Sequence, residues 1–139
     1  MKTLRSTLSI LALLSTLPSV AARADSPGAG GDRDATMTSG AETYKHVCQA
    51  CHMANGKGGV GAAVIPALAG NPKLASPIYP ATVVLNGYGA MPWFNGVLTP
   101  QQIADVVNYV RTHFGNSYKD TITVDTVKAM AGPPPHPMH

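Results

Sequence analysis

No stretch of this chain supplies the ~20 consecutive apolar residues that a membrane-crossing helix requires. The longest apolar segment, residues 8 to 17, reaches about half of that. There is no cluster of Lys or Arg interleaved with aromatics, so nucleic-acid binding drops out as a class. Cysteine occurs twice, at Cys48 and Cys51. No second Cys/His pair of the usual spacing accompanies them, and a structural zinc site needs four such ligands. The βαβ pattern that would surround a thioredoxin-like cysteine pair is also missing. With 139 residues, the chain is expected to form one domain, with no room for a second catalytic one.

The short apolar segment has a purpose that its length allows. Lys2 and Arg5 precede it and small residues follow it, which is the layout of a secretory signal. Ala22-Arg23-Ala24 offers an A-x-A cleavage site and places the mature start at Asp25, with cleavage after Ser19-Val20-Ala21 as the alternative. Cleavage removes Lys2, Arg5 and Arg23, which lowers Lys+Arg from 10 to 7 against Asp+Glu of 7. The basic balance of the precursor therefore says little about partners. Residues 1–24 are expected to be a signal peptide, 25–38 a flexible Gly-rich leader, 39–118 the folded domain and 119–139 a C-terminal extension ending in a Pro/His-rich tail. The expected location is the periplasm.

Within 39–118 the signals are helical. Ser39 followed by Glu42 reads as a capping box opening a helix to about Cys51, with Gly40, Tyr44 and Cys48 on one face. A glycine there implies close approach by another helix. Residues 55–72 are dense in Gly and Pro and read as a loop without regular structure. Residues 79–86 suit a short helix closed by Gly87. Thr99, Pro100 and Gln102 open the clearest helix, which runs to about Phe114, before Gly115-Asn116 stops it, and buries Ile103, Val106, Val107, Val110 and Phe114 with Tyr109 on its flank. One more helical turn against the surface is expected after residue 118. In the tail, His136, Met138 and His139 are a candidate weak site for copper or nickel, but they have no supporting residues around them.

The chemistry is concentrated in Cys48-Gln49-Ala50-Cys51-His52. Two thiols one helical turn apart face the same way, and each can add to one vinyl group of a haem, while the next residue reaches the iron. This is the C-x-x-C-H attachment pattern of a covalent haem c. A structural disulfide is the remaining rival use of the pair, and the expected export of the chain to an oxidising compartment favours haem, because c-type attachment takes place there. His52 is then the proximal ligand. For the sixth position, Met53 adjoins His52 on the wrong side, Met130 and Met138 lie in the tail, and His113 lies at the end of the last helix. Met91 remains, in a flexible turn ahead of Pro92; an ordinary core methionine is the alternative there.

The order "GAETYKHVCQACH", "IPALAG", "GAMPWF", "LTPQQIADVVNYVRTHFGN" resembles the monohaem class I c-type cytochromes over residues 39 to 118. "PALAGNP" and "YVRTHFGN" resemble, more narrowly, the cytochrome c domain of bacterial periplasmic alcohol- and aldehyde-type dehydrogenases, whose cytochrome subunits often carry three attachment motifs where this chain has one. The resemblance implies an all-α fold of three to five helices around one covalent haem, with the first and last helices crossing near Gly40 and Tyr109. It implies that the Pro66 carbonyl accepts the outer proton of His52, that Leu68 packs on the ring, and that Trp93 fills space. A His/Met pair leaves no open coordination position, so the expected function is electron transfer and not catalysis. The electrons would pass from a dehydrogenase to an oxidase or another cytochrome, with the chain acting as a soluble carrier or as a subunit of the dehydrogenase. A haem enzyme or gas sensor with an open sixth position is the alternative. Lys45, Lys57 and Lys73 are candidates to frame an exposed haem edge, although loop lysines also serve solubility and the formal neutrality of the mature chain argues against strong steering.

Overall fold

A computed structural model describes residues 37–61 and 63–133. The expected signal peptide, nearly all of the expected leader and the candidate tail donors His136, Met138 and His139 lie outside the described residues.

Helix α1 covers residues 40–52 in three joined pieces: an α turn at Gly40–Thr43, a π turn at Tyr44–Cys48 and a second α turn at Gln49–His52. Ser39 caps it through its hydroxyl, which accepts from Glu42 N at 3.2 Å. Only this half of the expected capping box forms. The Glu42 carboxylate meets His46 Nε2 at 3.1 Å instead, one turn further on. The π turn ends on Cys48, and such widened turns gather at functional sites.

The segment expected to lack regular structure contains a two-stranded antiparallel hairpin, β1 (Gly59–Val60) and β2 (Val64–Ile65), with Gly59 opposite Ile65 and Val60 opposite Val64. Two residues per strand are too few to leave a periodic signal in the sequence. A 3₁₀ turn follows at Pro72–Ala75, capped by Asn71. Helix α2 is Ile78–Asn86, closed by Gly87 at φ +74°. Helix α3 is Pro100–Thr112 and has the full reciprocal capping box, Gln102 N donating to Thr99 Oγ1 at 3.2 Å and Thr99 N to Gln102 Oε1 at 3.0 Å.

Helix α4, Val124–Met130, is the helix expected beyond residue 118. It packs into the interior: Ile122 and Val127 join Ala81, Leu85, Leu98, Ile103, Ala104 and Val107 in one buried cluster. Asn108 on α3 fastens the approach to it, bonding both Ile122 N and Ile122 O at 3.0 Å. Met37, which the composition places in the leader, is buried in the same cluster.

A second cluster, Tyr44, Leu74, Val106 and Val110, joins α1 to an adjoining strip of the same buried side of α3, with half-buried Cys48, Leu68, Tyr109 and Phe114 along its margin. The two helices meet where Gly40 lies against Asp105 and Tyr109. A Cβ at residue 40 would fall 2.7 Å from Tyr109 Cβ and closer still to the Asp105 carbonyl. Gly40→Ala is therefore expected to force the helices apart and cost about 1–3 kcal/mol, in spite of alanine's better helix propensity. Urea denaturation of the mature protein checks this, and a variant as stable as the parent would contradict the close crossing.

Candidate functional site

Helix α1 delivers Cys48, Cys51 and His52 on its last turns. Cys48 is half-buried, Cys51 is exposed, and both thiols are free. Burial, and then the nearby Cys51, push the Cys48 thiol up to about 12. Thiol pairs that work by thiolate chemistry sit at helix N-termini, where the dipole lowers their pKa. These lie at the carbonyl end of their helix, so the local field opposes that use. Among the described residues no group of three or more His, Cys, Asp or Glu is arranged to hold a metal ion, which leaves no zinc site around the pair.

His52 is buried, with 8% of its surface exposed. Its Nδ1 lies 3.2 Å from Pro66 O. A carbonyl can only accept, so Nδ1 carries the proton and Nε2 keeps its lone pair. Burial lowers the His52 pKa, and the Pro66 hydrogen bond offsets part of that lowering. The side chain is thus held as a neutral imidazole in a fixed tautomer, the form in which histidine binds a metal. Free thiols one turn apart beside such an imidazole are the donor set that a covalent haem uses, and the residues present fit that group.

The backbone just after His52 is what brings Pro66 to it. The helix stops at Met53, which takes φ +66° and ψ +161°, a region that side-chain-bearing residues rarely occupy. Two hydrogen bonds hold it there: Tyr44 Oη donates to Met53 O at 2.7 Å, and Gly56 N donates to the same oxygen at 3.2 Å. Tyr44 is itself packed between Phe114 and Tyr109, with ring centroids at 4.8 and 5.7 Å. Its phenol pKa is pushed up to about 12 by burial and then by Cys48 and Tyr109, so the hydroxyl keeps the proton it donates.

The chain then returns through Gly58, at φ +63°, whose N–H donates to His52 O at 3.1 Å. A Cβ at Gly58 would sit 2.8 Å from Pro66 O, against the carbonyl that His52 uses. Gly56 O accepts from both Leu68 N and Ala69 N, at 2.7 and 2.9 Å, which fixes half-buried Leu68 after the exposed Pro66. Asn116 completes the loop: its Oδ1 accepts from Asn71 N at 3.1 Å, and its Nδ2 donates to Leu68 O and Val110 O at 2.8 Å.

Met91 is half-buried, at the end of a tight turn in which Tyr88 and Met91 exchange both backbone hydrogen bonds at 3.0 Å. Gly87 admits this segment. A Cβ there would meet Met91 O at 2.7 Å and Trp93 N at 2.9 Å. The turn is further tied to α2 by Phe94 N, which donates to Val84 O at 2.9 Å. Trp93 is half-buried in the same segment.

Sequence reasoning named Cys48, Cys51, His52, Pro66, Leu68 and Met91 as candidates, of which the structure joins His52 to Pro66 and sets Cys48 and Leu68 along one cluster. It missed the residues that hold them: Tyr44 through its hydroxyl, Gly56 and Gly58 through their backbone, Gly87 through its missing side chain and Asn116 through its amide. The Gly density of residues 55–72 was the available signal for Gly56 and Gly58.

Residues 35–110 match the family described as cytochrome c oxidase, cbb3-type, subunit III. The chain is 39% identical over 101 residues to the cytochrome c subunit of the quinone-type alcohol dehydrogenase of Gluconacetobacter polyoxogenes, covering 63% of this chain and 21% of that protein. It is 38% identical over 106 residues to the gluconate 2-dehydrogenase cytochrome c subunit of Pantoea cypripedii, covering 66% and 23%. To the fructose dehydrogenase cytochrome subunit of Gluconobacter japonicus it is 34% identical over 105 residues, covering 66% and 21%. The chain thus spans about a fifth of the length of the curated relatives it matches. Among the described residues no helix is long and apolar enough to cross a membrane. With a C-x-x-C-H motif on the last turns of α1, a fixed imidazole behind it and a family match across more than half of its length, the chain belongs to the c-type cytochromes of the cbb3-type subunit III family.

Proposed function

We propose that this chain carries one haem c, joined through thioethers at Cys48 and Cys51 and ligated by His52 and Met91, and that it passes electrons in the periplasm from a dehydrogenase to an oxidase or another cytochrome. The observation that carries this reading is the His52 Nδ1 to Pro66 O hydrogen bond directly behind two free thiols. It leaves one nitrogen lone pair and two sulfurs as the available donors.

When bound, the haem supplies a one-electron couple. The residues do the rest. His52 keeps its proton on Nδ1, where Pro66 holds it, so the imidazole orientation is the same in both oxidation states. Leu68, at the margin of the second cluster, helps exclude water. Gly87 and the Tyr88–Met91 turn hold the backbone of Met91, whose thioether would be a soft neutral donor to the bound haem and would favour its reduced state. The donor class follows from the relatives, all named as cytochrome subunits of dehydrogenases.

Met91→Ala tests the ligand set. The ferric protein is expected to show a weak absorption band near the red end of the visible, which the substitution abolishes while mass and covalent attachment stay unchanged. The variant should also bind carbon monoxide when reduced, which the parent should not. A parent protein that binds carbon monoxide readily would favour the alternative, a haem enzyme or sensor with an open position.

A further inference from the structure

Tyr44 grips the attachment motif at two points. The π turn that begins at Tyr44 lengthens the hydrogen-bond spacing to five residues, so that Gln49 N, between the two cysteines, donates to Tyr44 O. Met53 N donates to Gln49 O at 2.9 Å. The Tyr44 hydroxyl then donates to Met53 O at 2.7 Å and closes a circuit of hydrogen bonds that runs from Tyr44 to Gln49 to Met53 and back. Cys48, Cys51 and His52 all lie in the chain between its first and last members.

The closing bond holds a conformation that the chain does not favour by itself. Met53, at φ +66° and ψ +161°, stands in a region occupied essentially by glycine. Of the two donors on its carbonyl, Gly56 N is at 3.2 Å and the phenol at 2.7 Å, so the phenol is the closer. Its ring is buried, and the Phe114 ring beside it also lies against Gly56, where a Cβ would meet Phe114 Cγ at 2.8 Å. The hydroxyl is therefore delivered from a fixed seat. Beyond Met53 the chain returns twice to His52, with Gly58 N on His52 O at 3.1 Å and Pro66 O on His52 Nδ1 at 3.2 Å. Freeing the Met53 carbonyl loosens the start of the path that brings Pro66 to the imidazole.

We propose that Tyr44 is a positioning residue for electron transfer: its hydroxyl, by holding Met53, keeps the Pro66 carbonyl on His52 Nδ1 and so sets how strongly the imidazole donates to haem iron, and with it the reduction potential. This deepens the electron-transfer reading above and rests on it. A carbonyl on Nδ1 raises the basicity of the imidazole toward a metal, and a more basic ligand favours the ferric state. Weakening that hydrogen bond shifts the couple toward the ferrous state.

The test uses the mature holoprotein and Tyr44→Phe, which keeps the ring between Tyr109 and Phe114 and removes only the hydroxyl. In a redox titration, where one electron passes between a mediator and each protein, the equilibrium constant for reduction is expected to rise about threefold, or about 30 mV at roughly 59 mV per tenfold. In NMR of the ferrous protein, His52 Nδ1–H should exchange with solvent about tenfold faster, while the N–H of buried Val107 on α3 keeps the parent's rate. Met53→Gly supplies the rescue, because glycine adopts the strained conformation freely. In that background Tyr44→Phe should change the reduction constant by less than about 1.5-fold. An unchanged potential and unchanged Nδ1–H exchange in Tyr44→Phe, even with lowered stability, overturn the proposal and leave Tyr44 a packing residue. Equal acceleration at Val107 means general loosening and overturns it too. If Tyr44→Phe does not fold, Met53→Gly should restore folding to it, and a double variant that also fails overturns the assignment of the hydroxyl to Met53. A parent with the mass of bare polypeptide ends the proposed function instead, and there the Nδ1–H exchange, which needs no haem, decides the role of Tyr44.

Discussion

Made in a host that exports and matures c-type cytochromes, the Cys48→Ser/Cys51→Ser variant is expected to emerge colourless, at the mass of the bare polypeptide and largely unfolded. The first two outcomes follow from removing both sulfurs that would form thioethers. The third follows from how the interior is divided. One buried cluster, around Leu85, Ile103, Val107 and Val127, has nine buried residues. The other rests on four buried residues, Tyr44, Leu74, Val106 and Val110, and its margin runs through Cys48 and Leu68, which are only half-buried. A haem at Cys48 would cover that margin. A domain of this size holds about 5–15 kcal/mol of stability, and small cores commonly need a covalent or metal staple to reach it. Far-ultraviolet circular dichroism and mass spectrometry check the variant. A colourless double mutant with the parent's helix content and cooperative melting would show that the polypeptide core suffices alone.

The parts of this fold that were legible in the sequence are those determined by neighbours in the chain. Thr99, Pro100 and Gln102 fix the start of α3 within four positions, and Gly87 fixes the end of α2. Gly40 was legible for the same reason, since a glycine on an otherwise apolar helical face asks for a close neighbour. The C-x-x-C-H motif is equally local. Pro66 was different: nothing in its own surroundings marks it as an acceptor for His52, and only the resemblance to a family named it. The burial of Met37 and the packing of α4 were not legible, because each depends on partners far along the chain, and the hairpin was not, because its two-residue strands leave no periodic signal. Met37, for instance, offers its carbonyl to Gln102 at 3.5 Å across 65 positions. Ser39 shows the limit from the other side. The S-x-x-E pattern was present, yet the Glu42 side chain took the partner one turn ahead.

Arg111 is the case where the sequence carried no signal and the structural consequence is large. It reads as one polar residue near the end of α3, but its side chain is fully buried. Its Nε donates to Leu74 O at 2.8 Å and its Nη2 to Ala75 O at 2.9 Å, which ties the 3₁₀ turn to α3. Nη1 donates to Asp120 O, and Nη2 pairs with the Asp120 carboxylate at 2.6 Å, so the same guanidinium fixes the chain leading into α4. Arg111→Met is expected to destabilise the mature protein by about 3–5 kcal/mol, because three carbonyls lose a donor that a thioether cannot replace. The ion pair itself is a minor part. Asp120 is 62% exposed, so Asp120→Asn should cost less than about 1 kcal/mol. Arg111→Lys separates charge from geometry: an ammonium keeps the charge but cannot reach three carbonyls in different directions, and it should recover little of the loss. Since Leu74 belongs to the cluster that borders Cys48, the loosened turn should also make the red absorption band easier to bleach with denaturant than global unfolding is. Full stability in Arg111→Lys would mean that the buried charge, and not the fork of donors, holds these segments together.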